Sequence, residues 1–313
     1  MKRTAIVSGA SGFIGSHLVD LLLREGFSVI GIDNLRTGNR ENLTNAMKKS
    51  NFELVEMDIC SEKLLELAKN PIDIVFHLAA ISSVKFSIDN PEVVHNVNVD
   101  GTRNMLELAR KGGANRFVFS SSAAVYGDPP TLPVHEDTPL APLSPYAESK
   151  VAAEMECLSY ETLYGIAPTI FRYFNVYGPR QEHSEYSGVI PIFINQAIRN
   201  QDITIEGNGD QTRSFIHVED VARATYLGGL IESDSHTIMN LSGPASISIR
   251  DLAYLIKSRI PTSTSDVVHL PAREGDVKDS IGSMERTSQV LRFSPKVSFE
   301  AGLDQTIAWY RIR

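Results

Sequence analysis

The sequence predicts an α/β protein: a doubly wound parallel sheet with a smaller C-terminal α/β lobe. Two observations predict it. In the first half, short β-rich runs alternate with helical stripes, and a glycine-rich turn joins the first run to the first stripe. After about Tyr173 that rhythm loosens into turn-rich sequence with scattered helical patterns.

The strand candidates are Thr4–Ser8, Ser28–Asp33, Phe52–Glu56, Ile74–Leu78 and Phe117–Ser120, each short, rich in Val, Ile and Phe, and bounded by polar or glycine turns. Three stripes follow a 3.6-residue period with one buried face. They are Ile14, Leu18, Leu21 and Leu22; Val94, Val97, Gly101, Met105 and Leu108; and Val151, Met155, Leu158 and Thr162. Strand–helix alternation implies parallel strands covered by helices on both faces. In the second half, turn chemistry marks Tyr177-Gly178-Pro179, Gly207-Asn208-Gly209-Asp210 and Pro261-Thr262-Ser263-Thr264, and helical patterns return at Val189–Arg199, Val218–Leu230 and Ile249–Arg259. The expected division is 1–172 for the sheet domain, with a return segment at about 217–239. Residues 173–216 and 240–313 form a substrate lobe on the carboxyl edge of the sheet, where open α/β folds bind ligands.

Composition bounds the function. The 313 residues are 42% hydrophobic and 22% charged, ordinary for a soluble globular protein. A formal net charge of −8 leaves no basic surplus for nucleic acid. One or two arginines and a helix N-terminus still suffice for a phosphorylated ligand. Cys60 and Cys157 stand alone, without CxxC or a histidine cluster, so no metal site and no disulfide framework is expected. The apolar run after Met1-Lys2-Arg3 reaches Gly9 too soon for a signal-peptide core, and no stretch could span a bilayer. A cytoplasmic protein without a membrane partner is expected.

Gly9-Ala10-Ser11-Gly12-Phe13-Ile14-Gly15 leaves the first strand and opens the first helix. Glycine permits the tight turn and the close backbone approach, and the helix N-terminus then faces a pyrophosphate. Asp33 ends the next strand, where a carboxylate accepts hydrogen bonds from adenosine ribose hydroxyls and repels a 2′-phosphate. NAD is therefore expected. Arg36 leaves NADP open, since a guanidinium can hold that phosphate.

Further on, Pro145-Tyr146-Ala147-Glu148-Ser149-Lys150 sets Tyr146 and Lys150 at i and i+4 on one helix face. Ser144 suits the N-cap and Pro145 the first turn. A phenol titrates near 10, so a base at neutrality needs a drop of roughly three units, or about 4 kcal/mol. An ammonium group and a positive nicotinamide ring both favour the phenolate.

The G-x-x-G-x-x-G spacing departs from the ordinary dinucleotide fingerprint, and here the chain resembles the extended short-chain dehydrogenase/reductase family, a Rossmann-type fold. Asp33-Asn34-Leu35, Asp58-Ile59, His77-Leu78-Ala79-Ala80 and Asn98-Val99-Asp100-Gly101-Thr102 occur in the family's order over nearly the whole length. Ser8 stands where relatives usually carry Thr. The resemblance implies a cofactor site of Gly9, Gly12, Phe13, Ile14, Gly15, Asp33, Asn34, Arg36, Thr37, Asp58, Ile59, Leu78, Ala79, Ala80, Asn98, Ser120, Tyr146, Lys150 and Tyr173. Asp58 and Ile59 would flank the adenine, Ala79 and Ala80 line the channel, and Asn98 support the backbone. It also selects Ser122, in Ser120-Ser121-Ser122, as the hydroxyl partner of Tyr146 and Lys150.

Relatives that dehydrate sugar nucleotides carry Asp-Glu directly after that hydroxyl residue, and decarboxylating ones often keep Glu. Here the positions are Ala123 and Ala124. A methyl group cannot shuttle a proton, so hydride removal followed by hydride return remains. Phe171-Arg172-Tyr173-Phe174-Asn175-Val176-Tyr177-Gly178 resembles the segment that closes over the ligand in nucleotide-sugar epimerases. Carried over residue by residue, that resemblance implies a substrate site of Ser122, Asn175, Val189, Arg213, Arg273, Asp276 and Ser280. Asn175, Arg213 and Arg273 would hold the diphosphate and Asp276 the nucleotide ribose. Ser280 aligns where a bulky Tyr closes the pocket of relatives restricted to unacetylated sugars. Within the family the resemblance is best to UDP-hexose 4-epimerases, which implies a UDP-sugar substrate and a homodimer. A reductase or dehydratase of the same fold, and a non-catalytic NAD-binding regulator, are the alternatives.

Overall fold

The strands expected from the β-rich runs form β1 (Thr4–Ser8), β2 (Ser28–Asp33), β3 (Phe52–Glu56), β4 (Ile74–His77) and β5 (Arg116–Ser122). The computed structural model describes residues 3–182, 188–233, 235–272 and 278–312. β6 (Ala167–Tyr173) and, from far down the chain, β10 (Thr237–Leu241) complete a seven-stranded sheet of order β10-β6-β5-β4-β1-β2-β3. Every pairing in it is parallel. Strand order reverses between β1 and β4, and ligands of such sheets bind outside the carboxyl ends at that point.

Alternation along the strands divides the core in two. Ala5, Val7, Ile74, Phe76 and Val118 face α1 (Phe13–Arg24) and α7 (Val218–Gly228). Ile6, Val75, Phe117 and Phe119 face α4 (Gly101–Gly112) and α5 (Pro145–Tyr164). Both faces are covered, so the strands read as continuous apolar runs. Ahead of α4 come α2 (Val84–Asp89), α3 (Pro91–His95) and a π-turn over Asn96–Asp100. Of the predicted stripe, Val94, Gly101, Met105 and Leu108 are buried and Val97 is partly buried.

The third stripe is a correction. Met155 is 57% exposed, and the residues that α5 buries include Ala153, Glu154 and Cys157. Small and polar side chains face the sheet because the helix must approach the strand ends closely. Of the predicted row, Val151 and Leu158 pack partly buried against neighbouring clusters, while Met155 and Thr162 are exposed.

In the second half, β7 (Asn175–Tyr177), β9 (Thr212–His217), β11 (Ser246–Ser248) and β13 (Asp279–Ser280) form a small mixed sheet, and β8 (Ile203–Glu206) pairs with β12 (Val267–Leu270). α6 (Val189–Ile198), α8 (Ile249–Arg259) and α10 (Phe299–Arg311) enclose a separate apolar cluster around Phe193, Ile194, Leu252, Ile256 and Leu303. α9 (Glu285–Leu291) packs back on β10.

Beneath the carboxyl edge a buried relay ties β1, β4 and α4 together. Ser8 Oγ accepts from the amides of Leu78 and Ala79 at 3.2 and 3.3 Å and contacts His77 Nδ1 at 2.6 Å. His77 Nε2 lies 2.9 Å from Thr102 Oγ1, which donates to Asn98 O at 2.6 Å. Only one proton arrangement satisfies every link: neutral His77 with its proton on Nε2. Burial, helped by the Lys150 cation, pushes His77 down to about 3. His17, whose Nε2 meets Pro179 O at 2.9 Å, is pushed down to about 4, first by burial and then by Arg180.

Both histidines have folded pKa values below their unfolded value. Their contribution is complete above pH ~6.5 and falls as pH drops toward the folded values, by up to about 1.4 kcal/mol per pH unit for each imidazole. Urea unfolding between pH 7 and pH 5 should show this loss, and His17→Gln should flatten the slope by one imidazole's share. A variant slope equal to the wild type would refute the assignment.

Candidate cofactor and substrate site

A cleft of about 700 Å³ runs along the carboxyl edge from Asp33 and Asp58 to Tyr146. Gly9 has φ +70°, and a Cβ there would lie 2.8 Å from the Ala79 amide nitrogen. A Cβ on Gly15 would lie 2.0 Å from Gly9 O. The turn therefore closes only with glycine at both positions. No side chain caps α1, so its first N–H groups and its dipole are free to meet an anion.

At one end of the cleft, Asp33 Oδ2 accepts from Ser11 N at 2.9 Å and Oδ1 from Leu35 N at 2.8 Å. Burial raises its pKa, and the two amides oppose that shift. Asn34 Nδ2 donates to Asp58 Oδ2 at 2.7 Å, joining the ends of β2 and β3, while Arg36 lies over the Phe86 ring at 5.2 Å. Thr37, Ile59, Leu78, Ala79 and Ala80 line the same walls.

At the other end, α5 starts as its sequence dictates: Ser144 caps it by accepting from Ala147 N at 3.2 Å, with Pro145 in the first turn. Tyr146 is 9% exposed and hydrogen-bonds to Ser122. Ser122 Oγ also accepts from Ala124 N at 3.2 Å, capping a 3₁₀ turn over Ala123–Tyr126. Lys150 Nζ donates to Ser120 O at 2.8 Å and stands 4.8 Å from the centroid of the Phe119 ring. Burial pushes Lys150 down to about 8, with Cys157 and Glu154 opposing. Burial raises the Tyr146 phenol, and the Ser122 hydrogen bond works against that. The drop that the sequence argument requires must come from positive charge at the phenol oxygen.

A second pocket, of about 310 Å³, adjoins this end and shares Ser122, Tyr146, Tyr173 and Phe174. Three strands of the lobe sheet bring Asn175, Arg213 and Ser280 onto its wall: β7 and β13 both pair with β9. Asn175 Nδ2 donates to Ser214 O at 3.1 Å and to Ser280 Oγ at 3.3 Å. Arg213 Nη1 is held by the carbonyls of Thr212 and Lys278. Ala123 and Ala124 present methyl groups to the same space.

Other sequence candidates stand elsewhere. Asn98 is buried behind the wall: it pairs with both backbone groups of Ile81 and donates to Ser149 Oγ at 2.9 Å, supporting the site from outside. Tyr173 offers the cleft its ring, since its hydroxyl bonds Thr225 Oγ1 at 2.7 Å. Val189 packs against the lobe core. Arg273 and Asp276 lie outside the described residues.

Sequence reasoning missed Asn42, Phe86, Arg180 and Asp279 on the walls, and the Glu154–Arg172 ion pair beneath them. Asn42 secures the glycine turn by donating to Ser11 O at 2.9 Å. Only Glu154 carried a signal, one helical turn past Lys150. Arg180 arrives by loop folding, and Asn42, Phe86 and Asp279 lie in a 3₁₀ turn, the short helix α2 and the short strand β13, elements too brief to show periodicity.

Open helix terminus, glycine cradle and buried carboxylate fit a dinucleotide, and the Ser122, Tyr146 and Lys150 cluster fits hydride chemistry on an alcohol; fold and cleft together describe a dinucleotide-dependent enzyme of the doubly wound class. The chain belongs to the NAD dependent epimerase/dehydratase family, whose pattern matches residues 5–240, and its cofactor is NAD. It is 37% identical over 308 residues to the UDP-glucose 4-epimerase of Mycolicibacterium smegmatis, covering 98% of each chain. It is also 34% identical to the UDP-N-acetyl-alpha-D-glucosaminuronate decarboxylase of Bacillus cytotoxicus, covering 99% of this chain and 98% of that one. Among solved structures, the UDP-N-acetylglucosamine 4-epimerase of Methanobrevibacter ruminantium M1, in complex with UDP-N-acetylmuramic acid, superposes with a TM-score of 0.94. Sequence identity is 34%, over 100% of this chain and 99% of that one.

The glycine turn makes a graded prediction. A Cβ at Gly12 meets Gly9 O only at 3.2 Å. Gly15→Ala should cost on the order of 3 kcal/mol and strip bound NAD, while Gly12→Ala costs less. Urea midpoints and NAD retained per chain measure this; equal effects would show that the Gly9–Gly15 contact is not limiting.

Proposed function

We propose that the protein is an NAD-dependent UDP-hexose 4-epimerase, interconverting UDP-glucose and UDP-galactose and also turning over the N-acetylated pair. The observation that carries the reading is the juxtaposition of Tyr146 and Ser122 with the methyl groups of Ala123 and Ala124 in one pocket. That stretch removes protons from an alcohol but sets no carboxyl group beside Ser122 for eliminating water. The pocket's one carboxylate among the described lining residues, Asp279, is engaged by Thr212 N and Oγ1 on the lobe side. The apolar stretch at Ala123 and Ala124, where a decarboxylating relative often keeps Glu, argues for an uncharged hexose.

When bound, NAD supplies a hydride acceptor and a positive ring. Tyr146 takes the proton of the sugar 4-hydroxyl, with Ser122 holding the same oxygen. Lys150, anchored on Ser120 O, keeps an ammonium group near the phenol and so favours the phenolate. The 4-keto sugar turns over in the pocket while the diphosphate stays held by Asn175 and Arg213; the family resemblance alone assigns Arg273 to the diphosphate and Asp276 to the nucleotide ribose. Tyr146 returns the proton to the reduced product. Ser280 leaves space where an acetamido group would enter.

The test is NMR of UDP-sugars with the purified protein and no added NADH. Wild type should interconvert the C4 epimers without net NADH; Tyr146→Phe should lose about 10²–10⁴-fold in kcat. Ser280→Tyr should depress turnover of the N-acetylated pair selectively. Absence of conversion with any UDP-hexose refutes the reading, and an unaltered substrate ratio in Ser280→Tyr refutes the role of Ser280.

We also infer a homodimer built on the outer row of α5. Met155 at 57% exposure, with Ile88 and Val93 at 63 and 38% on α2 and α3, which pack against α5, offers exposed apolar side chains suited to a second copy. Met155→Glu should yield a monomer in sedimentation equilibrium; a wild-type monomer would exclude the arrangement.

A further inference from the structure

Beneath the catalytic cluster lies a charged group that the proposed reaction does not touch. Glu154 is 3% exposed, one turn past Lys150 and two past Tyr146 on α5. Its Oε1 accepts from Ser121 Oγ at 2.5 Å and Arg172 Nε at 3.0 Å, and its Oε2 from Arg172 Nη2 at 2.7 Å. Ser121 and Arg172 are register partners on β5 and β6, and the next pair along is Ser122 with Tyr173. One carboxylate therefore grips two neighbouring strand ends from the helix above them.

The grip continues outward. Arg172 Nη1 donates to Tyr126 OH at 2.9 Å and to Glu136 O at 3.0 Å, and Tyr126 OH donates to Asn240 Oδ1 at 2.7 Å. Asn240 N donates to Glu136 Oε1 at 2.8 Å. Tyr126 ends the turn that Ser122 caps, so both sides of Ser122 are fixed by the network. Isolated buried ion pairs give little net stability, since desolvation offsets attraction. Such an arrangement is better understood through what it orients.

We propose that Glu154 is the positioning residue of this site: through Ser121 and Arg172 it fixes Ser122 against the turn of α5 that carries Tyr146 and Lys150. The inference rests on the reading of that trio as the acid–base machinery. Two consequences for the phenol follow. The Ser122 hydrogen bond, which favours the phenolate, depends on the strand end staying in place. The carboxylate also favours the Lys150 ammonium, which burial opposes. Among the described residues, the other titratable groups that act on or share the site with Lys150 are Cys157 and Tyr146 on α5 and His77 on β4, with Arg172 on β6 bound to Glu154 itself. Tyr146 faces Lys150 and, across the sugar pocket, Arg213 and Asp279.

The experiment is a phenolate absorbance titration of the NAD-loaded protein, which reads Tyr146 as the difference between each protein and its Tyr146→Phe counterpart. It needs no knowledge of the sugar. Glu154→Gln should move the Tyr146 titration upward by about half a pH unit or more. Ser121→Ala, which leaves the ion pair intact and keeps the fold, should move it in the same direction by less. In both, kcat for sugar turnover should fall while KM holds. A network that only stabilises the fold would lower the melting temperature and leave the phenol titration on the wild-type curve in both variants; that result overturns the proposal. Failure of the wild type to turn over any UDP-hexose would refute the epimerase reading and leave this titration intact.

Discussion

Everything in the candidate site hangs on the carboxyl edge of a parallel sheet at the point where strand order reverses. There β1 and β4 lie side by side, and the chain must leave each through backbone that no neighbouring strand covers. Gly9 makes one exit possible, since its Cβ-free surface admits the Ala79 amide of the other. The buried relay from Ser8 through His77 to Thr102 holds the two exits together. Cofactor cradle and sheet topology are thus one constraint seen twice: the strand ends meet closely enough to shape a dinucleotide cleft only where glycine removes a side chain.

The proposed catalytic cluster uses the same edge differently. Ser122 ends β5, while Tyr146 and Lys150 lie in the first turns of α5, so their relation depends on how a helix seats on a strand end. Two buried devices set that seating: Lys150 on the carbonyl of Ser120, and Glu154 on Ser121 and Arg172. Burial raises the phenol and depresses the ammonium, opposite to what proton abstraction needs. Such a cluster becomes a base only as positive charge approaches the phenol, a condition that suits a cofactor retained through turnover.

Legibility followed the range of the physical cause. Strand runs and the glycine turn were readable because period and backbone freedom are local. Tyr146 and Lys150 were readable because i and i+4 share a helix face. The stripe on α5 was misread in part: Val151 and Leu158 pack partly buried, but Met155 and Thr162 are exposed, and the sheet takes the smaller Ala153 and Cys157 with Glu154. Periodicity identifies a stripe without saying what it faces. Asn42, in a 3₁₀ turn, and Arg180, in a loop, reach the cleft through the fold, and nothing in their surroundings marked them beforehand.

The sequence by itself determined the alternating α/β fold, the dinucleotide turn with Asp33, the Tyr146–Lys150 spacing and the missing carboxylates at Ala123 and Ala124. Each is a statement about neighbours within a few residues. The tertiary structure alone decided that Asn175, Arg213 and Ser280 share one wall, because three strands far apart in the chain pair in one small sheet. It alone decided that Glu154 meets Ser121 and Arg172 rather than solvent. A buried charge finds its partner through packing of whole elements, and no local pattern records which element that will be.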